Sequence, residues 1–278
     1  MNQDNYYVNG RYSEDPNQKE MMFSEDYNNG IFAVADGMGG ESDGEFASLT
    51  TVQSLKELSA EQLPETESVS SCIDKANNKI CEKVKETGKR SGTTIAMAAV
   101  NDIGADIYNI GDSKVFLYSK GSLTQLSKDH TVTAQMVEAG LITKEQAKKD
   151  RRSHQLFQHI GIAPEEMKIS LYEQKGISLE PDDIIIICSD GMTDGLENED
   201  IIDIIENNAE YDILARELAE RAIENGSKDN VTVLTVMKNK NESSTKDTLL
   251  NIIICICVAI LGTAAGYFIT RLIIGLIS

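Results

Sequence analysis

Short apolar runs bounded by turn residues predict strands over residues 30–36, 93–100, 105–110, 114–119, 167–172, 183–189 and 231–237. Several of these runs are joined by tight polar turns, Asn101-Asp102 and Asp112-Ser113 among them, which favours antiparallel hairpins. Helical spacing predicts helices over residues 44–60, 69–87, 132–139, 143–149, 197–207 and 212–225. In the last of these, Ile213, Leu214, Leu218, Ala219 and Ala222 share a face, and Thr143-Lys-Glu-Gln146 has the spacing of a capping box. Hairpins interspersed with long helices make residues 1–237 one α+β domain, with helices packed outside antiparallel sheets.

The pattern changes after residue 237. Residues 238–248 read as a polar linker, and residues 249–270 carry no charge. At ~1.5 Å per residue that run would span about 33 Å as a helix, close to the ~30 Å hydrocarbon core of a bilayer. It predicts a single transmembrane helix, with a buried core helix as the alternative, followed by a short tail over residues 271–278. Lys238, Lys240 and Lys246 precede the run and only Arg271 follows it, so the flanking charge puts the large domain in the cytoplasm. Gly262 and Gly266 have the spacing of a helix-dimer motif and offer a route to self-association.

Composition narrows the function. The chain of 278 residues carries a formal net charge of −19. With no basic stripe, nucleic acid is an unfavourable partner, because phosphates require Lys and Arg. The cysteines lack metal-binding or redox spacing, and the N-terminus lacks a secretory signal, which fits a reducing setting.

The candidate chemistry lies in aspartates at strand ends and tight turns. Asp36 follows an apolar run and precedes Gly37, Gly39 and Gly40, so a carboxylate and a nearby carbonyl could act as hard oxygen ligands for Mg²⁺ or Mn²⁺. A strand-to-helix turn is the plainer alternative. Asp190 closes a run containing Ile184 to Ile187, with Asp194 shortly beyond it, where a helix-start charge is equally natural. Asp112 lies in Gly-Asp-Ser, Asp4 in Asn-Gln-Asp-Asn, and Asp229 in Ser-Lys-Asp-Asn, which alone reads as a turn.

Together these residues resemble the metal-dependent protein serine/threonine phosphatases of type 2C in their bacterial form. The resemblance rests on Asn2-Gln3-Asp4-Asn5, Ala35-Asp-Gly-Met-Gly-Gly40, Ser91-Gly-Thr-Thr94, Gly111-Asp-Ser-Lys114, Leu126-Ser-Lys-Asp-His-Thr131, Ser189-Asp-Gly-Met-Thr-Asp194 and Gly226-Ser-Lys-Asp-Asn230, in family order across residues 1–237. It implies a four-layer αββα sandwich of two antiparallel sheets flanked by helices. It also implies a Mn²⁺ or Mg²⁺ centre of two ions. Asp36 would bridge the ions, the Gly37 carbonyl would bind one, and Asp190 and Asp229 the other. Asp4 would act through bound water, and Asp112 with Asp190, joined by Asp194, would hold a third ion. Such a centre hydrolyses phosphoserine and phosphothreonine in proteins with a metal-activated water. Phosphoproteins and a cognate serine/threonine kinase are the implied partners, and the cell membrane, with the domain cytoplasmic, is the expected location.

Three departures from the family pattern stand out. Met38 occupies the place of a candidate acid, His, in eukaryotic relatives. The family's first strand, with the Arg that grips substrate phosphate, has no counterpart ahead of Asp4, and Arg11 is a poor substitute. Lys114 stands where Arg is usual and is expected on a strand surface. Either the start is placed late or the phosphate clamp is lacking; the latter leaves open a tethered pseudophosphatase that binds phosphoproteins or a kinase without catalysis. Residues 127–161 resemble the family's mobile flap, whose basic cluster of Lys148, Lys149, Arg151 and Arg152 reads as a solvated helix end or a phosphopeptide grip. Among the histidines, His130, His154 and His159, the first is the one singled out for test, and Ser91-Gly-Thr-Thr94 is expected only to pack central strands.

Overall fold

A computed structural model describes residues 2–15, 21–27, 29–39, 43–59, 63–207, 211–238 and 252–259. One sheet contains β1 (Asn5–Val8), β3 (Gly30–Ala35), β6 (Ile95–Val100), β7 (Ala105–Ile110) and β10 (Tyr172–Ile177), neighbouring one another in that order. The other runs β2 (Asp26–Tyr27), β13 (Ile252–Ala259), β12 (Val231–Lys238), β11 (Ile184–Cys188), β8 (Lys114–Ser119) and β9 (Ser122–Gln125). A two-stranded ribbon pairs β4 (Gly37–Gly39) with β5 (Ser91–Thr93). Every strand pair in both large sheets is antiparallel.

The helices are α1 (Asp43–Ser54), α2 (Thr66–Thr87), α3 (Val132–Glu138), α4 (Lys144–Lys149), α5 (Asp190–Gly195), α6 (Asn198–Asn207) and α7 (Leu214–Glu224). The isoleucine run shows how the layers are built. Alternate residues of a strand point to opposite faces. Ile185 and Ile187 enter the core between the sheets with Phe32, Val34 and Leu234, whereas Ile184 and Ile186 pack outward against Leu214 and Leu218 of α7. A strand buried on both faces has no polar alternation to show. On the opposite outer face Val69, Cys72, Ile73, Ala76 and Ile80 of α2 are buried, most of them in a cluster with Ala33, Met97 and Tyr108. The result is the helix–sheet–sheet–helix layering expected. α2 ends at Gly88, whose φ of 69° and N–H bond to the Val84 carbonyl form a left-handed cap. The capping box at Thr143 and Gln146 is present on α4.

The chain departs from expectation in several places. The run at 93–100 is divided between β5 and β6, with Thr94 at the bend. The strand expected at 167–172 lies instead at Tyr172–Ile177, a polar edge strand with an irregularity between Gln174 and Ile177 and little hydrophobic alternation to announce it. The strand expected over 183–189 ends at Cys188, and Asp190 opens the short helix α5.

The largest difference from expectation lies in the run expected to form a transmembrane helix. Ile252–Ala259 form a strand that pairs with β12 from Lys238 back to Val231 and with β2 at Asp26 and Tyr27. Its Ile and Val residues are β-branched and suit a pleated surface, and an uncharged run meets the demands of a sheet as well as those of a bilayer. Among the described residues no helix is long and apolar enough to cross a membrane. Lys238, expected in the linker, is the last residue of β12. The rest of the linker, residues 249–251 and 260–278, and with them Gly262 and Gly266, lie outside the described residues.

Candidate metal centre

The predicted aspartates gather at one end of the two sheets. Asp36 links β3 to β4, Asp112 sits in the β7–β8 turn, Asp190 opens α5 directly after β11, and Asp229 lies between α7 and β12. Together with Gly37 they line one cavity of about 420 Å³. Asp4, just ahead of β1, is buried and feels the charges of Asp190 and Asp229 from behind that wall. Asp194 stands one turn along α5 from Asp190.

Hydrogen bonds fix these positions. The Asp36 N–H donates to Thr94 Oγ1 at 3.0 Å, and its carbonyl accepts from the Thr94 N–H at 2.9 Å and from Thr93 Oγ1 at 2.8 Å. Ser113, next to Asp112, meets Thr94 at 2.6 Å, so one threonine ties two of the carboxylate-bearing turns together. Gln3 joins the other side: its carbonyl accepts from the Gly37 N–H at 3.2 Å and its N–H donates to Asn230 Oδ1 at 2.9 Å. Thr232 Oγ1 donates to Asp4 Oδ2 at 2.7 Å, and its backbone pairs with Ser189.

Close backbone packing requires glycine beside two of the aspartates. A Cβ on Gly37 would lie 2.2 Å from the Gly44 carbonyl oxygen and 2.4 Å from that of Gln3. A Cβ on Gly191 would lie 2.1 Å from the Asn230 carbonyl oxygen. These two glycines serve less to turn the chain than to let neighbouring segments touch.

Electrostatics at the cluster favour a bound cation. Burial, reinforced by neighbouring carboxylates, lifts Asp4 and Asp112 to about 7 and raises Asp36 well above the ordinary carboxylate range. Burial also raises Asp229 and Asp194, each with help from Asp190. Burial works against the charge on Asp190 as well, yet His154 beside it and the Lys114 charge hold its carboxyl below the usual range. Asp190 Oδ1 is buried and accepts no hydrogen bond among the described residues. Converging carboxylates that suppress each other's ionisation, with a buried oxygen unpartnered, are the donor set of a hard divalent cation. Asp36, the Gly37 carbonyl, Asp190 and Asp229 fit such ions, and Asp112 lies within the same wall.

Other expected residues lie elsewhere. Arg11 stacks on Phe23 and pairs with Glu25 at 2.6 Å, away from the cavity. Lys148 pairs with Glu197 and Arg152 with Asp150, and none of the basic cluster lines the cavity. Lys114 is not on an open surface. Its Nζ lies 3.0 Å from both Asp129 Oδ2 and the Asp112 carbonyl, and although burial opposes its charge, those partners raise its pKa. His130 is buried and accepts from the Gly111 N–H at 3.0 Å; burial, with Lys128 nearby, lowers it to about 4, so it is a neutral brace for the Asp112 turn. Gly40 lies outside the described residues. Met38 lines the cavity and has no proton to give.

Sequence reasoning missed Thr94, Gln3 and His154, all of which line the cavity. Thr94 does more than pack the central strands, and its position at a strand break is the available clue. His154 Nδ1 lies 3.6 Å from Asp190 Oδ2 and 3.9 Å from Asp194 Oδ1. Asp190, with Asp194 adding to it, lifts His154 to about 9 despite partial burial. No spacing in the sequence announces a histidine brought in from so far along the chain.

Known proteins are similar to this chain in sequence and in fold. A family model described as protein phosphatase 2C matches residues 9–235. A Streptococcus pyogenes protein named as a 2C-type protein phosphatase is 30% identical over 229 residues, covering 79% of this chain and 91% of its own. The serine/threonine phosphatase stp of Listeria welshimeri is 27% identical over 226 residues, covering 78% and 88%. Among solved structures, the Streptococcus agalactiae serine/threonine phosphatase superposes with a TM-score of 0.65 at 24% identity, covering 93% of this chain and all of that one. The catalytic domain of the phosphatase PstP, solved with two manganese ions, superposes with a TM-score of 0.61 at 21% identity, covering 93% of this chain and 100% of that one. With a family match running through most of the domain and the aspartates gathered at one end of its sheets, this chain belongs to the protein phosphatase 2C family.

Proposed function

We propose that this protein is a Mn²⁺- or Mg²⁺-dependent phosphatase that removes phosphate from phosphoserine and phosphothreonine in proteins at a binuclear centre. The observation that carries this reading is the convergence of Asp36, Asp112, Asp190 and Asp229 on one cavity, with Asp4 behind them. Asp36, the Gly37 carbonyl, Asp190 and Asp229 would hold two ions, and Asp4 would orient water beside them. Bound divalent cations supply Lewis-acid charge that activates water and neutralises phosphoryl oxygens. The protein's share is positioning. Thr93 and Thr94 fix Asp36, Thr232 fixes Asp4, and Gln3 ties both sides of the wall together.

The test is hydrolysis of p-nitrophenyl phosphate and of a phosphothreonine peptide, with Mn²⁺ and with chelator. Turnover should require metal and fall by about a hundredfold or more in Asp36→Asn and Asp190→Asn. Equal, negligible rates in every sample would sink the catalytic reading and favour a phosphoprotein-binding pseudophosphatase. One observation supports that second reading: among the described residues no Lys or Arg lines the cavity to grip phosphate.

Pairing with a cognate kinase follows from the proposed chemistry. Membrane attachment through residues 249–270, with the domain cytoplasmic, rests on the uncharged run and its lysine flank, and the strand over Ile252–Ala259 weighs against a continuous helix. Recovery of the full chain in the soluble fraction after cell lysis would remove it.

A further inference from the structure

We propose that His130 is a positioning residue that locks the Asp112 turn and the loop over residues 132–158 into one unit, so that the shape of the cavity depends on a ring that does not line it. The segment from Lys128 to His130 runs beside the β7–β8 turn and closes on it residue by residue. The Asn109 side chain donates to the Lys128 carbonyl at 2.7 Å and accepts from the Lys128 N–H at 2.9 Å. Lys114 Nζ spans the Asp112 carbonyl and Asp129 Oδ2, each at 3.0 Å. His130 takes both backbone groups of Gly111: its N–H donates to the carbonyl at 2.9 Å, and its Nδ1 accepts from the N–H at 3.0 Å. Nδ1 is therefore the acceptor nitrogen of a neutral ring, and Nε2 carries the proton.

The same nitrogen reaches the loop. Gln158 Nε2 lies 3.1 Å from His130 Nδ1 and donates to the Ser170 carbonyl at 2.7 Å, while Gln158 Oε1 accepts from the Ser170 N–H at 2.8 Å. The Phe157 N–H donates to the His130 carbonyl at 3.0 Å, and the Val132 N–H to the Gln155 carbonyl at 2.8 Å. Beside these bonds stand His154 and Leu156, which line the cavity together with Asp112. One acceptor atom thus serves a donor from each side. His130 and Gln158 are only 6% and 4% exposed, so water does not stand in for either. Without that acceptor the Gly111 N–H and the Gln158 amide lose a partner away from solvent, and turn and loop must shift to find others. Only the kinetic consequences of this lock rest on the phosphatase reading above.

The test compares the full chain with His130→Asn, whose Oδ1 can take the place of Nδ1, and with His130→Gln, whose acceptor stands farther from the backbone. Gln158→Leu breaks the lock from the loop side and leaves the ring in place. Circular dichroism verifies that all three variants fold. In metal-free protein, amide exchange should quicken by about tenfold or more in His130→Gln and Gln158→Leu, at residues 111–113 and 152–157 together, and stay near the wild type in His130→Asn. With Mn²⁺, KM for a phosphothreonine peptide should rise by about tenfold or more in the two disrupted variants, kcat should change by less than about threefold, and His130→Asn should restore KM. Nitrogen-15 NMR of the wild type should find the His130 proton on Nε2. A proton on Nδ1, faster exchange confined to one of the two segments, or no restoration by His130→Asn overturns the lock and leaves the phosphatase reading standing. Negligible turnover in the wild type, with the joint exchange and the Nε2 proton both found, supports the lock and overturns the phosphatase reading.

Discussion

Gly37 separates two demands that glycine usually meets together. It sits between the Gln3 and Gly44 carbonyls, where even one methyl group would press on backbone from both sides. Neither neighbour is a flexible side-chain end, so the strain cannot be relieved locally. Gly37→Ala is therefore expected to lower stability by about 1–3 kcal/mol and to weaken Mn²⁺ binding along with it. Thermal unfolding and Mn²⁺ titration check this, and a variant as stable as the parent would show that the β4 packing is looser than described. The aspartates themselves were legible in the sequence, because each sits at a strand end or in a turn with recognisable neighbours. Their fasteners were not. Thr94, Thr232 and Asn230 act through bonds to residues far away in the chain, and a lone Thr or Asn carries no mark of its distant partner.

At the level of elements, hydrophobic pattern identified what is buried on two faces or along one stripe. β3, β6, β7, β8, β11 and β12, with α2 and α7, fall close to where spacing put them. Elements stabilised by pairing rather than by pattern escaped: the β4–β5 ribbon, the polar edge strand β10, and the two-residue β2. β13 escaped for another reason, since a run of isoleucine without charge answers equally to lipid and to a sheet. Its pairing leads to a test. Deleting residues 239–278 would leave β12 with an open edge, and open edges recruit other strands. The truncated protein is expected to melt at a lower temperature and to elute from size exclusion at a larger apparent mass than the full chain. Unchanged melting and monomeric elution would mean that β13 contributes nothing to the sheet.

Across the whole molecule, the site is a concentration of negative charge in a protein already at a net −19. Without metal, Asp4 and Asp112 hold protons up to about pH 7, far above an unfolded aspartate at 3.8. A carboxyl raised in the native state contributes stability below its unfolded pKa and loses it as pH rises through the folded value. These groups therefore make metal-free protein progressively less stable from about pH 4 to pH 7, and Mn²⁺ held as proposed would remove that loss. Melting temperatures across this range should diverge between chelated and Mn²⁺-loaded samples, with the gap widest near neutrality; parallel curves would mean that the cluster holds no ion. The bonds from Gln3 to Asn230 and from Thr232 to Asp4 have a consequence of another kind. They join the first described residues to the far end of the domain, so a ribosome must deliver almost all of it before the wall of the cavity can close. A nascent or prematurely terminated chain carries most of the aspartates yet cannot gather them, and competence arrives in one step, late in synthesis.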